Sequence, residues 1–573
     1  MKNKNRLYLG ILVFASMLNL LFMHYFFFFN GFLEWPWLYT EVINLFNVIF
    51  DISVLLFLFL FILRGRLKPA LLLIYILTFA WSLVNVIYGR FFYQYISLSA
   101  IGEVHALGEG LVFNSILAEI HWYDLFFIVS LFIFIFLYRR TKNIVIEKIT
   151  ILKILGIPVI SLLMTIVTYS AYHFINPKYR NNWELYQFRI HEFLYDSVRG
   201  GTPNMSHFHN GCLRVCAYEL YDMFHVTVLS EEQRKEIASY YLDNSKRFTL
   251  HQRPKVQNLI FILLESFLSV PIDLKVDGKE ITPFLNQLKK EPDVYYNGNM
   301  VSDIGCGESG DGQFIYMTGI LPLHTKMTVS QVKNHTLPAL PLVLKEYCGV
   351  NHSEIIFPTI QTLWQQADMN KVYGFTEAYS IDDIVGSPNN PINDEEIFSF
   401  AINRLNVVKE PFFSLILSVS THSPYNHFVG EDLHLCDNSL SEKYKNYLNT
   451  CHYLDKQLSR YFTQLKVKGF YDRSLIVVCA DHYAHANRFD MDDRIPSYTP
   501  LFVVHGNINE IAWKGEFHQL DVYTTILDLL NVDSKWKGLG HTLLVPNYSN
   551  SVNDDAIRLS EMIIDGDYFK DQE

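Results

Sequence analysis

The 573-residue sequence predicts two unlike parts: five transmembrane helices, then an extracytoplasmic α/β domain with a mainly parallel sheet. Three observations carry this. Five apolar stretches of spanning length crowd the first third, lysine and arginine gather in every second loop between them, and from Asn258 short apolar runs alternate with helical patterns.

Half of the chain is hydrophobic, which suits a folded protein. Its 47 Lys and Arg against 58 Asp and Glu give a net charge of −11, unevenly shared: residues 1–172 carry +4 and the remaining 401 carry −15. A domain that acidic is a poor candidate for nonspecific nucleic-acid binding, which needs a basic face against phosphates.

The five stretches are Leu7 to Phe29, Ile43 to Leu63, Ala70 to Ile87, Trp122 to Tyr138 and Ile154 to Tyr172. The first is longer than the ~7 to 15 apolar residues of a signal-peptide core and reads as a retained anchor. Lys2, Lys4 and Arg6 precede it; Arg64, Arg66 and Lys68 follow the second stretch; Arg139, Arg140, Lys142, Lys148 and Lys153 lie between the fourth and fifth. The alternate loops hold only Arg90. The N-terminus is therefore cytoplasmic, and an odd number of spans puts residues from about 173 onward outside the cell membrane. Asp51, inside the second span, shares a helical face with Asn44 and Asn47 and reads as part of a polar seam between spans.

Residues 173–254 read as a helical connector, with Trp183, Tyr186, Phe188 and Phe193 at helical spacing and a Ser230 to Gln233 capping box opening a helix to about Asn244. Residues 255–573 form the third region. Leu259 to Leu264, Phe412 to Val419, Leu475 to Cys479 and Leu501 to Val504 read as strands buried on both faces. Thr282 to Lys290, Leu340 to Tyr347, Thr362 to Asn370, Asp394 to Leu405 and Ser441 to Leu465 read as helices between them. Seven cysteines face an oxidising compartment, and Cys212 with Cys216 is the expected local disulfide.

In a parallel sheet, chemistry sits at the carboxyl ends of the strands. There the first strand delivers Glu265, and the strand ending at Cys479 delivers Asp481 and His482, a set of O and N ligands suited to a divalent metal. Gly305 to Phe314 reads as a glycine-rich loop carrying one hydroxyl, Ser309. A serine-hydrolase elbow lacks its closing glycine, because Asp311 stands there. A Cys306 nucleophile is disfavoured by Asp303, Glu308 and Asp311, which raise a thiol's pKa.

The order and spacing of these segments, with Thr282-Pro-Phe-Leu285, Thr318 to Pro322, Leu363-Trp364, Gly374-Phe375 and His518 to Leu527, resemble the lipoteichoic acid synthase branch of the sulfatase and alkaline phosphatase superfamily. That resemblance implies one divalent metal, manganese or zinc ahead of magnesium, on Glu265, Ser309, Asp481 and His482, with Ser309 as nucleophile. It further implies substrate contacts at Trp364, Gln366 and His422, the last also placed to protonate a leaving alcohol. Two departures stand out: Gln366 replaces an arginine and Phe357 a histidine of the phosphoglycerol enzymes, and an amide is no bidentate phosphate ligand. A formylglycine sulfatase is disfavoured, since neither Pro nor Arg follows Ser309 in the required places.

The expected function is a metal-dependent membrane phosphotransferase. It moves phosphoglycerol or phosphoethanolamine from a phospholipid donor onto an envelope glycan or lipid acceptor through a phospho-serine. The alternative is a surface-anchored, metal-dependent hydrolase of phosphate or sulfate esters, with the spans as a tether.

Overall fold

The structure is a computed structural model, and it describes residues 2–29, 37–92, 94–98, 100, 120–176, 203–224, 227–242, 248, 254–388, 390–425, 432–485, 489, 495–508, 511–545 and 547–570. The aromatic series Trp183, Tyr186, Phe188 and Phe193 lies outside these residues, as does the expected helix end at Asn244. The chain divides into two compact units: Met1–Ile101 with Ile116–His225 and His324–Lys326, and Gly102–Ser115 with Val226–Leu323 and Met327–Glu573.

The first unit holds α1 (Lys2–Phe29), α2 (Trp37–Ile62), α3 (Leu67–Phe92), α4 (Leu125–Arg140), α5 (Lys148–Ile154), α6 (Gly156–Ile175) and α7 (Pro203–Phe224). Among the described residues, five stretches are long and apolar enough to cross a membrane: Lys4–Phe27, Tyr39–Ile62, Leu67–Arg90, Trp122–Arg140 and Lys148–Ile175. The three lysine- and arginine-rich loops meet at one end. Asn5 and Lys142 exchange two hydrogen bonds, Lys68 N donates to Asn143, and Arg66 bridges Val145. Arg90, the lone cation of the alternate loops, forms a two-pronged pair with Asp124 at 2.6 and 2.8 Å, so that charge is neutralised.

The polar seam on α2 has a specific partner in α7. That helix is broken at Gly211, whose φ of 70° leaves donors and acceptors without helical partners on either side. Asp51 accepts the N–H groups of Cys212 (2.9 Å) and Leu213 (3.3 Å), Asn47 donates to the Phe208 carbonyl (2.8 Å), and Arg214 donates to Asn47 (2.7 Å). The expected Cys212–Cys216 disulfide is not formed: the two residues sit about one turn apart on α7.

The second unit is built on an eight-stranded sheet. Its strands are β1 (Asn258–Leu264), β4 (Val294–Val301), β5 (His352–Ile356), β6 (Glu377–Tyr379), β7 (Phe412–Leu417), β8 (Ser474–Ala480), β9 (Thr499–Val504) and β10 (Phe517–His518), while β2 (Lys275–Val276) and β3 (Lys279–Glu280) form a hairpin apart. The order is β10-β4-β9-β8-β1-β7-β5-β6, and only β9 runs against its neighbours. Strands β1, β7, β8 and β9 are buried along their whole length, as apolar runs covered on both faces must be. One layer of the core packs helices Asp394–Arg404 and Glu442–Val467 over Ile260, Ile262, Ile416, Ile476 and Val478.

Two segments differ from the sequence reading. Most of the expected glycine-rich loop is helical, Glu308–Thr318, with Gly307 as its N-cap, and it is buried despite Gly310 and Gly312 because close approach to the sheet needs residues without side chains. The expected helix from Thr362 is a short turn, Leu363–Gln365, followed by a helix Gln366–Tyr373, since Trp364 and Gln365 adopt φ of 52° and 51°.

Candidate active site

Strands β1 and β8 lie side by side and parallel, so the residues following them emerge together. Asp481 spends one carboxylate oxygen on the N–H groups of Ser266 (2.9 Å) and His482 (2.7 Å), which leaves Oδ2 3.7 Å from His482 Nε2. Glu265 Oε1 stands 3.6 Å from the same nitrogen. On the other side of the ring, Nδ1 donates to the Tyr483 carbonyl at 2.9 Å, which orients the ring and turns Nε2 toward the two carboxylates. Ligand atoms of Glu265, Asp481 and His482 thus lie within 4.8 Å of one another. Ser309 Oγ joins them, 3.4 Å from Glu265 Oε2.

This donor set fits a divalent cation. Glu265, Asp481 and Glu308 are buried around one imidazole, an excess of negative charge. Burial, then the nearby Asp481, pushes the Glu265 carboxyl upward. Burial disfavours the charged His482 ring, yet Asp481, Glu308 and Glu265 together outweigh it and hold the proton on. A cation in their midst would relieve that strain, and a mixed O/N set without thiolates suits manganese or zinc.

Ser309 is carried by the first turn of helix Glu308–Thr318, whose orphan N–H groups favour an anion there. Three contacts set its place. Asp311 folds the approach to the helix by accepting the N–H groups of Gly305 (2.9 Å) and Gly307 (2.7 Å). Gly312 presses on the end of β8 so closely that a Cβ would stand 2.2 Å from the Asp481 carbonyl oxygen. Tyr316, one turn further, donates to the Ala480 carbonyl at 2.6 Å. Glu308 and Ser266, beside Ser309 and Glu265, both hold left-handed backbone, at φ of 43° and 47°.

Trp364 is brought against the same turn: a Cβ on Gly310 would meet its side chain at 3.7 Å. The left-handed φ at Trp364 was not legible in the sequence. Gln366 is buried and spends both amide hydrogens, on Gln313 (3.0 Å) and Asn370 (2.7 Å). His422 is half-buried in the turn after β7, its Nδ1 2.5 Å from the Ser423 carbonyl, and the preceding Thr421 hydroxyl donates to the Glu265 carbonyl. The sequence reading counted Glu308 only as surrounding charge. In the structure its carboxylate reaches His485 Nε2 (3.1 Å) and lies 3.4 Å from His482 Nδ1, and its position next to Ser309 was the one available signal. A second gathering, His352, Glu354 and Glu377, is already supplied with a cation by Arg404, at 3.0 and 2.6 Å from the two carboxylates.

Residues 257–532 match the sulfatase family, and residues 1–182 match the lipoteichoic acid synthase N-terminal domain. The chain is 25% identical over 492 residues to lipoteichoic acid synthase 2 of Bacillus subtilis (strain 168), covering 82% of this chain and 73% of the relative. It is 24% identical over 483 residues to the lipoteichoic acid synthase of Staphylococcus aureus (strain USA300), covering 79% and 71%. Its fold is similar to that of the integral membrane protein lipooligosaccharide phosphoethanolamine transferase A from Neisseria meningitidis, with a TM-score of 0.58 at 14% identity over 92% of this chain and 96% of that one.

Proposed function

We propose, for a chain that belongs to the lipoteichoic acid synthase-like branch of the sulfatase-like families and is a multi-pass membrane phosphotransferase with its catalytic domain outside the cytoplasm, that Ser309 carries a phospholipid headgroup between donor and acceptor as a covalent phosphodiester. The observation that supports this most is the meeting of Ser309 with Glu265, Asp481 and His482 at a helix N-terminus. Glu265, Ser309, Asp481 and His482 would hold a divalent ion, which would supply positive charge against the phosphoryl oxygens and a lowered pKa for the serine hydroxyl.

Ser309 reacts as the alkoxide: its oxygen forms the new P–O bond while the bond from phosphorus to the lipid's glycerol oxygen breaks. His422 gives that leaving alcohol its proton. In the second half the acceptor hydroxyl attacks the phosphoserine, its proton passes to His422, and Ser309 leaves as the alkoxide it began as. Trp364 shapes the wall beside Ser309. Gln366, an amide where the resemblance expects a cation, favours a headgroup that does not require one, which keeps phosphoethanolamine beside phosphoglycerol.

The test is to incubate the full-length protein with native envelope lipids, quench, and weigh the peptide containing Ser309. An adduct on Ser309 names the headgroup by its mass. An adduct on another residue, or a hydrolysis product with no adduct at any time, rejects the proposal in favour of a one-step hydrolase.

A further inference from the structure

Gln519 lies between β10 and the helix Leu520–Leu529 and is fully buried. Its carboxamide makes every hydrogen bond that a carboxamide can. Nε2 donates to the Asp481 carbonyl (2.6 Å) and to the Tyr316 hydroxyl (3.0 Å), while Oε1 accepts from the Ser302 hydroxyl (2.8 Å) and the Asp303 N–H (2.8 Å). The orientation of the amide is settled by its partners, because a backbone N–H can only donate and a carbonyl can only accept.

These four partners belong to three pieces of the site. Asp481 is the residue after β8 whose side chain faces His482, Tyr316 is on the helix that carries Ser309, and Ser302 and Asp303 begin the segment leading into that helix. Tyr316 passes its own hydrogen to the Ala480 carbonyl, so Gln519 and Tyr316 together hold both carbonyls at the end of β8. The Asp481 carbonyl is thereby fixed from two sides, by the Gln519 amide and by the bare Cα of Gly312. Asp303 is braced further by His518 Nδ1 (2.6 Å) and the Leu520 N–H (3.1 Å).

We infer that Gln519 is a positioning residue: one side chain that sets the distance between the Ser309 oxygen and the Asp481–His482 end of β8. The inference rests on the proposed role of Ser309. Gln519 touches neither substrate nor reacting atoms. It acts through Asp481 and Tyr316, and a displacement of about 1 Å at a reacting pair is enough to cost ~100-fold in rate.

The experiment compares full-length wild type with Gln519→Leu and Gln519→Glu, which keep the shape and remove both N–H donors, with Tyr316→Phe, which removes the hydroxyl's bonds to Gln519 and to the Ala480 carbonyl, and with Ser302→Ala, which removes one link. Expected in both Gln519 variants is a fall of roughly 100-fold in the maximal rate of Ser309 adduct formation, with the KM for lipid donor within about twofold of wild type. Tyr316→Phe should fall several-fold, and the double variant Gln519→Leu/Tyr316→Phe should lose less than the product of the two single losses, because the Gln519–Tyr316 bond is broken by either change. In metal-depleted protein, peptides covering Ser302–Ser309 and Asp481–Tyr483 should exchange amide hydrogens faster in the Gln519 variants. Wild-type adduct rates in these variants, a raised KM at unchanged maximal rate, or additive losses in the double variant would overturn the inference. If Gln519→Leu does not fold, Tyr316→Phe and Ser302→Ala decide it by the same readouts. If wild type itself forms no adduct, the role proposed for Ser309 fails, while unchanged hydrogen exchange is what would sink the bracing role of Gln519.

Discussion

The role proposed for Ser309 rests on a single oxygen, and substitutions there have opposite expected outcomes. Ser309→Ala should fold and insert normally yet form no adduct, whereas Ser309→Thr should keep measurable activity, since threonine offers the same oxygen; an adduct in the alanine variant would reject the assignment. Gly312→Ala is the sharper probe of geometry, because its Cβ would stand 2.2 Å from the Asp481 oxygen, whereas at Gly310 it would meet only ordinary contacts at 3.5 Å and beyond. Adduct formation should drop at least ~100-fold in Gly312→Ala and much less in Gly310→Ala; equal rates would mean the helix does not set the site. Asp481→Ala and His482→Ala should each lose copurifying manganese or zinc by elemental analysis, and full occupancy in both would remove the metal site. Glu265, Asp481 and His482 were legible in the sequence because each follows an apolar run that can only be a buried strand. The helical start at Ser309 was not, since glycines that permit close packing look the same in sequence as glycines that make a turn.

Among the elements, α7 shows how a broken helix is made tolerable inside an apolar bundle. Asp51 and Asn47 on α2 take the place of the missing helical partners at Gly211. In Asp51→Ala two backbone N–H groups lose their acceptor, at a cost of about 1 to 3 kcal/mol for each buried group left unsatisfied. Segment 203–224 should loosen, and the now-buried Cys212 should react with a small maleimide at least several-fold faster in Asp51→Ala than in wild type. Unchanged reactivity would show that α7 is held by apolar packing alone. Strands β1, β7, β8 and β9 were readable for their runs rich in Leu, Ile, Val and Phe. Strand β4 was not, because Asn297, Gly298 and Asn299 interrupt it where Asn297 bonds to the Trp513 and Gly515 carbonyls. Strand β5 hid behind Glu354, a buried carboxylate made acceptable by Arg404 and Ser414.

For the whole chain, the Lys- and Arg-rich loops predict orientation, and the hydrogen bonds joining Asn5, Arg66, Lys68 and residues 142–145 place those loops at one end of the bundle. A reporter that is active only outside the cytoplasm should work when fused after Tyr172 and fail at Lys142, and the reverse pattern would invalidate the topology and the lipid-donor reading with it. The division into a membrane part and an α/β part was legible from hydropathy alone, since lipid and water demand different surfaces. The contact at Gly312 also bears on how this enzyme can evolve. A position where even a methyl group collides with backbone is closed to mutational drift, so descendants cannot retune the reach between Ser309 and the end of β8 by substitution there. A lineage that adapts to a new headgroup must therefore explore other ground, the neighbourhood of the half-buried Trp364, and a saturation library should show more tolerated residues at 364 than at 312.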